Sequence, residues 1–315
     1  MGAVTGRAAA KLLLFGEHAA VYGHPAVGVM LPDETTVTLE APAASTWDLG
    51  SIPEEDRQAV TEALARVEEK LPGLASAGRC AVHIRSTVTR KAGFGSSAAL
   101  SGALARAALA RAGEGGAEVR RAWEIAHHVE RLFHGTPSGV DTGLALLGAT
   151  VIFRPRPPAL PEYEIVPACG IPLVVGAVRR DAACAGLIAG LAERMKAGDA
   201  KVRAAISALG ELSGFAASVL RARRPGAPRY LGALADRAMR NLAAVGLSTP
   251  ELEVVLEAAR GAGALGAKLS GAGGGGAFYA VAPDAQAAAV ISSRIQAAAV
   301  KSGVLFLAPP RVVTA

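Results

Sequence analysis

The sequence is poor in cysteine and in aromatic residues, and both shortages exclude classes of protein. Its three cysteines, Cys80, Cys169 and Cys184, are odd in number and far apart, which excludes a disulfide framework and a zinc site built on closely spaced pairs. Phenylalanine, tyrosine and tryptophan make up 4% of the chain, and they do not alternate with basic residues as in proteins that stack nucleic-acid bases. We therefore expect inert thiols and no nucleic-acid partner.

Long apolar runs are also absent. No stretch approaches the roughly 20 uncharged residues that are needed to cross a bilayer, and the first eleven residues lack the charged start and apolar stretch of a secretory signal. These two features predict a cytoplasmic protein without a membrane partner. Hydrophobic residues make up 51% of the chain and charged residues 19%, so a disordered chain of high charge and low hydrophobicity is excluded.

Basic residues outnumber acidic ones, 33 to 27, and the formal net charge is +6. This balance permits an anionic partner. The densest basic run, residues 221–229, contains two prolines and is more typical of a solvated loop than of a nucleic-acid-binding arm. A small phosphate compound is therefore the favoured ligand, and the alternative of RNA binding would require an affinity that falls steeply with salt.

The length of 315 residues suggests about two domains. Strand and helix patterns alternate irregularly along the chain, without the repeated βαβ units of a doubly wound sheet, so we predict an α+β fold with two lobes. The proline-rich residues 154–161 are the clearest candidate for a linker. We therefore place an N-terminal domain at residues 1–160 and a C-terminal domain at residues 161–315.

The segment GFGSSAA, residues 93–99, places glycines and two serines directly before an alanine-rich helix pattern. Glycine lets the backbone approach a ligand, and the first helical turn offers N–H groups and the positive end of the helix dipole. This is an anion-binding pattern, although no lysine follows the glycines as it does in a P-loop. The alternative is a serine-capped helix entered by a flexible turn.

A second glycine-rich segment, GAGGGG at residues 271–276, precedes an apolar strand pattern. Each glycine costs about 0.5–1 kcal/mol of chain entropy relative to alanine, and an ordinary turn rarely needs five of them. Two such segments far apart in the sequence suggest an oligophosphate held between the two lobes. The alternative is a flexible loop.

Glu130 falls within the apolar stripe of a predicted helix over residues 118–133, together with Trp123 and Phe133. A carboxylate in such a stripe requires a partner. Mg²⁺ bound to phosphates suits its hard oxygens, and a salt bridge to an arginine is the alternative. His127 and His134 flank this carboxylate, but imidazole is a poor ligand for Mg²⁺, so both are interpreted as surface or lining residues.

Two further charged residues have ordinary explanations on position alone. Asp141 lies at the start of a short predicted helix, where capping or compensation of the helix dipole is the simplest role. Lys11 opens an apolar strand and could be an edge residue with its ammonium group in solvent. The chain has only seven lysines, so the position of Lys11 directly before an LLLFGEH segment is notable.

Four motifs together resemble those of the GHMP kinases and, within that family, the mevalonate kinases. They are KLLLFGEHAAVYGHPAV from Lys11, GFGSSAA from Gly93, HGTPSGVD ending at Asp141, and KLSGAGGGG from Lys268. The motifs occur in the same order and with similar separations as in that family, and together they span nearly the whole chain. The resemblance implies a two-lobed fold with the active site in the cleft between the N- and C-terminal domains.

The resemblance also implies catalytic and metal-binding roles. Asp141 would face the hydroxyl of the substrate as the catalytic carboxylate, and Lys11 would lie beside it and stabilise developing charge. Glu130 would hold Mg²⁺ together with the hydroxyl of Ser97, which agrees with the argument from the helical stripe. Glu17 and His18 would line the substrate pocket with Asp141.

The glycine segments would bind ATP. The implied contacts to the nucleotide are Gly93, Gly95, Ser96 and Ser97 on one side, with Lys91 adding positive charge, and Gly271, Gly273 and Gly274 on the other. The implied reaction is ATP-dependent phosphorylation of the primary hydroxyl of mevalonate to 5-phosphomevalonate, and a homodimer is common in the family. The alternatives are a kinase for another small alcohol, such as a sugar, homoserine or phosphomevalonate, and a nucleotide-binding relative without catalysis.

This chain departs from the family pattern in two places. Before the first glycine segment, Thr89 and Lys91 replace the usual proline and glycine, and Phe94 replaces leucine. After the strand that ends near residue 178, Asp181, Ala182 and Ala183 replace the usual Ser-Thr-Lys. The first departure bears on nucleotide affinity, and the second bears on the identity of the acceptor more than on the reaction.

Overall fold

The computed structural model describes residues 2–40, 45–167, 169–180, 186–223 and 225–315. The strands are β1 (Val4–Phe15), β2 (Ala26–Leu39), β3 (Val82–Ser86), β4 (Thr150–Arg156), β5 (Ala159–Val166), β6 (Pro172–Val178), β7 (Gly266–Leu269), β8 (Gly276–Val281) and β9 (Phe306–Thr314). The helices are α1 (Glu54–Lys70), α2 (Pro72–Ser76), α3 (Ser96–Arg111), α4 (Val119–His134), α5 (Val140–Leu147), α6 (Leu187–Lys196), α7 (Ala200–Ala222), α8 (Ala227–Ala244), α9 (Pro250–Gly261) and α10 (Ala285–Ser302). This mixture of helices and strands confirms the α+β prediction.

The chain forms two compact units that interleave along the sequence. The first unit contains Met1–Lys11, Met30–Val88 and Gly95–Gly148, and the second contains Leu12–Val29, Thr89–Phe94 and Ala149–Ala315. The strands β1 and β2 therefore contribute residues to both units. The division into domains at residues 1–160 and 161–315 stays a prediction.

In the first unit, helices pack on one another beside antiparallel strands. β2 pairs with β3 from Thr35 opposite Ser86 to Leu39 opposite Val82. Helices α3, α4 and α5 contact one another. The large Trp123 of α4 is fully buried, and Gly143 of α5 leaves room for its indole ring.

In the second unit, four antiparallel strands follow the order β7–β8–β6–β9. Val175 at the middle of β6 lies opposite Tyr279 of β8 and Arg311 of β9. Helices α8, α9 and α10 pack on these strands and bury an apolar face. The same unit contains a pairing of β4 with β5 and, at residues 26–28, with β2.

One expectation about local structure is wrong. Residues 154–161 are not a linker, because they belong to the antiparallel pair β4–β5, with a cis bond between Pro157 and Pro158. Helices α6 and α7 are separated by a short break. The break is at Gly198, which has a φ of +80°, and Asp199, whose carboxylate accepts hydrogen bonds from the first backbone N–H groups of α7.

The cysteines within the described residues are not paired. Cys80 and Cys169 are free thiols, and burial raises the pKa of the Cys80 thiol, which keeps it in the unreactive neutral form. Cys184 lies outside the described residues. None of the helices in the described part of the chain has the length and apolar character of a membrane span.

Candidate active site

The last residue of the first glycine segment before helix α3 has a left-handed backbone conformation. Gly95 has a φ of +76° and precedes the first helical residue, Ser96. A Cβ atom on Gly95 would lie 2.7 Å from Cγ of Lys11, so the glycine also makes room for the lysine side chain. No side chain caps this helix, and the alternative of a serine-capped helix is therefore wrong.

The hydroxyl of Ser97 donates to the carboxylate of Glu130 instead of capping its own helix. The Ser97 Oγ to Glu130 Oε1 distance is 2.8 Å, and Ser101 Oγ donates to Glu130 Oε2 at 3.1 Å. The sequence had not indicated Ser101. It is buried one helical turn after Ser97, so the same face of α3 presents two hydroxyl groups to one carboxylate.

Glu130 is buried, with 1% of its side chain exposed. Burial raises the pKa of this carboxyl group, and the hydrogen bond from Ser97 opposes that shift. The imidazole of His134 lies beside it, with Nε2 at 3.2 Å from Oε1. Within the described residues no lysine or arginine forms an ion pair with Glu130, so the arginine alternative is wrong there. Phe133, placed in the same stripe from the sequence, is exposed.

Ser97 and Glu130 fit the donor set that Mg²⁺ prefers. Both present hard oxygen atoms, and no lysine or arginine in the described part of the chain pairs with the buried carboxylate. No cluster of three or more His, Cys, Asp or Glu side chains suited to a metal occurs among the described residues. A site with two protein oxygen ligands is typical of Mg²⁺, which takes its other ligands from phosphates and water.

Lys11 and Asp141 are brought together within the first unit. Lys11 Nζ lies 2.9 Å from Asp141 Oδ1, with 5% of the lysine side chain and 40% of the aspartate side chain exposed. The interpretation of Lys11 as an edge residue with a solvated ammonium group is therefore wrong. Asp141 lies in the first turn of α5 but makes no capping hydrogen bond there.

The PSGVD segment is held in place by Trp123 of α4, a role that the sequence did not indicate. The indole Nε1–H donates to the carbonyl oxygen of Gly139 at 2.9 Å and lies 3.1 Å from Thr142 Oγ1. A Cβ atom on Gly143 would lie 2.3 Å from the indole ring. The indole thus fixes the residues on both sides of Asp141. The apolar stripe had placed Trp123 in the core without indicating its hydrogen bonds.

A cavity of about 60 Å³ in the first unit is bordered by both acidic side chains. Glu130 contributes from the last turn of α4, and Asp141 from the first turn of α5. The remaining lining residues are His134, Pro137, Ser138, Gly139 and Thr142. The structure therefore brings Lys11, Ser97, Glu130 and Asp141 to one place.

Glu17 and His18 lie in the second unit, just after β1. The buried carboxylate of Glu17 binds the ammonium group of Lys268. His18 has a left-handed φ of +58°, and its Nε2 lies 3.1 Å from the carbonyl oxygen of Ala272. Burial lowers the pKa of His18 to about 4, so the ring is neutral and Nε2 carries the hydrogen that this carbonyl accepts. Their place in a substrate pocket stays a prediction.

The second glycine segment has a defined backbone. Gly271, Gly273 and Gly274 all have positive φ, between +68° and +84°. A Cβ atom on Gly273 would lie 2.7 Å from the carbonyl oxygen of Leu247, and this same oxygen accepts a hydrogen bond from the N–H of Gly274 at 2.9 Å. Packing thus demands glycine here, whatever the segment binds.

The remaining residues of the predicted nucleotide site occupy tight turns. Lys91 is exposed and has a φ of +60°, and Gly93 has a φ of +95° with its α-carbon close to Ala277. Nucleotide contacts of both residues stay predictions. The substituted residues Asp181, Ala182 and Ala183 lie outside the described residues.

Comparison with known proteins gives the family. The model for the GHMP kinases N terminal domain matches residues 58–149, and the model for GHMP kinases C terminal matches residues 215–301. A mevalonate kinase from Pyrococcus abyssi is 30% identical over 311 residues, which covers 90% of each chain.

Solved structures of two relatives share the fold. The L. major mevalonate kinase in complex with R-mevalonate has a TM-score of 0.76 and 24% identity, covering 94% of this chain and 92% of the other. The Streptococcus pneumoniae phosphomevalonate kinase has a TM-score of 0.79 and 16% identity, covering 99% of this chain and all of the other. With the matches over both of its halves, this chain belongs to the GHMP kinases.

Proposed function

We propose that this chain transfers the γ-phosphoryl group of ATP to the primary hydroxyl of mevalonate, giving 5-phosphomevalonate and ADP. The observation that carries the proposal is the 2.9 Å contact between Lys11 and Asp141, next to the buried Glu130 and its hydrogen-bond donor Ser97. Membership of the GHMP kinases supports ATP as the phosphoryl donor. Sequence similarity to mevalonate kinases supports the acceptor.

Asp141 and Lys11 act on the acceptor hydroxyl. As its oxygen bonds to the γ-phosphorus and the bond from phosphorus to ADP breaks, the hydroxyl proton passes to the carboxylate of Asp141. Phosphoryl transfer is largely dissociative and needs little activation of the nucleophile, so the main task of Asp141 is to orient the hydroxyl and receive its proton. The Lys11 ammonium group stabilises negative charge at the reacting oxygens.

Ser97 and Glu130 would hold Mg²⁺, which supplies positive charge to the phosphate oxygens of ATP. Glu130 suits this role because its carboxylate is buried and its neighbours are two hydroxyl groups and an imidazole. The backbone N–H groups at the start of α3 add dipoles that favour phosphate. Gly93, Gly95, Ser96 and Lys91, with Gly271, Gly273 and Gly274, complete the proposed nucleotide contacts.

An assay of ADP release over a panel of acceptors tests the proposal. The panel contains mevalonate, phosphomevalonate, galactose and homoserine, each with ATP and Mg²⁺, and we expect rapid turnover with mevalonate. Faster turnover with another acceptor would overturn the choice of mevalonate but not the kinase chemistry. ATP binding without ADP release for any acceptor would identify a relative that lacks catalysis.

The cellular location and the oligomeric state are also part of the proposal. We expect it in the cytoplasm and as a homodimer, in line with the family resemblance. Light scattering of the purified chain measures the mass in solution directly, and a mass of one chain at assay concentration would contradict the dimer.

A further inference from the structure

Lys268 is a charged side chain in the core of the second unit. It lies in β7 and has no exposed surface. A lysine is rarely buried to this degree, because desolvation disfavours the ammonium form, and burial lowers its pKa while Glu17 opposes that shift. The desolvation free energy of this ammonium group means that packing alone does not explain a lysine at this position.

The ammonium group of Lys268 joins two separate segments. It binds the carboxylate of Glu17 and donates to the carbonyl oxygen of Leu14 at 3.2 Å, both near the end of β1. It also donates to the carbonyl oxygen of Leu269 at 2.7 Å, just before the second glycine segment. The lysine therefore fastens the end of β1 and Glu17, within the GEH segment (residues 16–18), to β7, the strand that leads into the second glycine segment (residues 271–276).

Aromatic and hydroxyl groups complete the surroundings of this bridge. The ring centres of Phe15 and Tyr279 lie 5.8 Å and 5.3 Å from Lys268 Nζ, within range of cation–π attraction. Tyr279 Oη donates to Leu14 O at 2.8 Å, and Ser270 Oγ donates to Leu13 O at 2.7 Å. The end of β1 is thus fastened to β7 and β8 around one buried positive charge.

A separate hydrogen bond joins the GEH segment to the second glycine segment itself. His18 Nε2 lies 3.1 Å from the carbonyl oxygen of Ala272. Glu17 is thus held by Lys268, and the next residue, His18, is held by the glycine segment four residues after Lys268. A shift of the GEH segment would break both contacts at once.

We propose that Lys268 is a positioning residue that fixes Glu17 and His18 for the acceptor and couples the GEH segment to the second glycine segment. This inference rests on the proposed function, in which Glu17 and His18 line the acceptor pocket. Lys268 itself has no surface with which to contact a substrate, so it acts through Glu17. The competing explanation is an ion pair that only stabilises the core.

A double-mutant cycle with Glu17→Gln and Lys268→Met tests the coupling. If Lys268 acts through Glu17, each single variant raises the KM for mevalonate about tenfold or more, and the double variant shows no larger effect than the worse single one. Independent actions would multiply instead and would overturn the proposal. The double variant removes both charges together, so it folds even where Lys268→Met leaves a buried carboxylate unpaired.

A matched control separates positioning from loss of stability. Ile295→Ala removes a buried side chain from α10, a helix that contributes no atom to the Lys268 bridge. We expect its KM for mevalonate to equal that of the wild type. If Lys268→Met and the double variant also keep the wild-type KM, Lys268 serves only to stabilise the core and the proposal is wrong.

A readout without catalysis keeps this test independent of the proposed function. In the wild type, the NMR signals of His18, assigned by their loss in His18→Gln, should show no titration near pH 6.5. Burial and, to a smaller extent, the charge of Lys268 lower the pKa of His18, and the double variant removes the opposite charge of Glu17 together with that of Lys268. When the bridge is removed in that variant, we expect His18 to leave Ala272, to become exposed and to titrate near its ordinary pKa. An unchanged His18 titration in that variant would overturn the proposal, even if the wild type phosphorylates a different alcohol or none.

Discussion

Lys11 Nζ lies 2.9 Å from Asp141 Oδ1, and this contact joins β1 to the first turn of α5. The lysine is buried, with 5% of its side chain exposed, whereas 40% of the aspartate side chain is exposed. The same lysine packs against Gly95, the last residue before α3. One side chain thus touches both the proposed catalytic carboxylate and the residue that precedes the proposed nucleotide-binding helix.

Replacing the carboxylate of Asp141 should stop turnover while sparing nucleotide binding. Asp141→Asn keeps the shape of the side chain but cannot receive the hydroxyl proton or pair with the Lys11 ammonium group. We expect kcat to fall by about 10²–10⁴-fold, with an ATP dissociation constant close to that of the wild type by calorimetry. Near-full activity of this variant would remove Asp141 from the mechanism.

Gly95 should be intolerant of a side chain because of Lys11. In Gly95→Ala, the added Cβ would lie 2.7 Å from Lys11 Cγ, and the buried lysine has little space in which to move. We expect the ammonium group to shift from Asp141 and kcat to fall by about tenfold or more.

Gly113→Ala is the matched control, because Gly113 also has a positive φ, +83°, but has open space around its α-carbon. Both variants carry a similar backbone cost of about 1–2 kcal/mol, and Gly95→Ala adds the overlap with Lys11, so its thermal melt should show the larger loss of stability and only its kcat should fall. Equal activity in the two variants would contradict the packing argument.

We expect Glu130→Gln to raise the melting temperature and to weaken the response of activity to Mg²⁺. Burial raises the pKa of Glu130, which means that the folded state disfavours its ionised form. The neutral amide removes this penalty, so we expect the unliganded variant to melt at a higher temperature than the wild type at pH 7.

The amide is also a weaker ligand for Mg²⁺, so we expect half-maximal activity of Glu130→Gln at a higher Mg²⁺ concentration. Titration of Mg²⁺ at fixed ATP measures this shift. A variant that is less stable than the wild type and has an unchanged Mg²⁺ requirement would show that the carboxylate serves the fold rather than a cation.

The position of Glu130 could be predicted from the sequence because helical periodicity is a local property. A carboxylate in the apolar stripe of α4 had to be buried, and it is. The contact partners could not be predicted in this way. Trp123 and Lys268 gain their roles from atoms of Gly139 and Glu17, and no local pattern shows which distant groups a buried donor will meet.

The prediction of a linker at the proline-rich residues 154–161 is wrong for a related reason. Proline lacks the N–H group that a strand interior needs, so the run suggested a linker. In the fold, Pro157 and Pro158 occupy the turn between β4 and β5, where no ladder hydrogen bond is required. Composition identified the turn correctly as irregular but could not show that strands pair on both sides of it.

His18 should make the stability of the protein depend on pH. Its pKa is about 4 in the folded state and 6.5 as the ordinary value, so between these values the unfolded chain binds a proton that the folded protein does not. Stability is therefore lost as the pH falls below 6.5, by roughly 2 kcal/mol at pH 5 from this group.

His18→Gln cannot titrate and should not show this part of the loss. Urea unfolding of both proteins at pH 7 and pH 5 measures the difference, and the other five histidines cancel in the comparison. A stability difference between the two proteins that is the same at both pH values would mean that His18 takes up a proton as readily in the folded protein as in the unfolded chain.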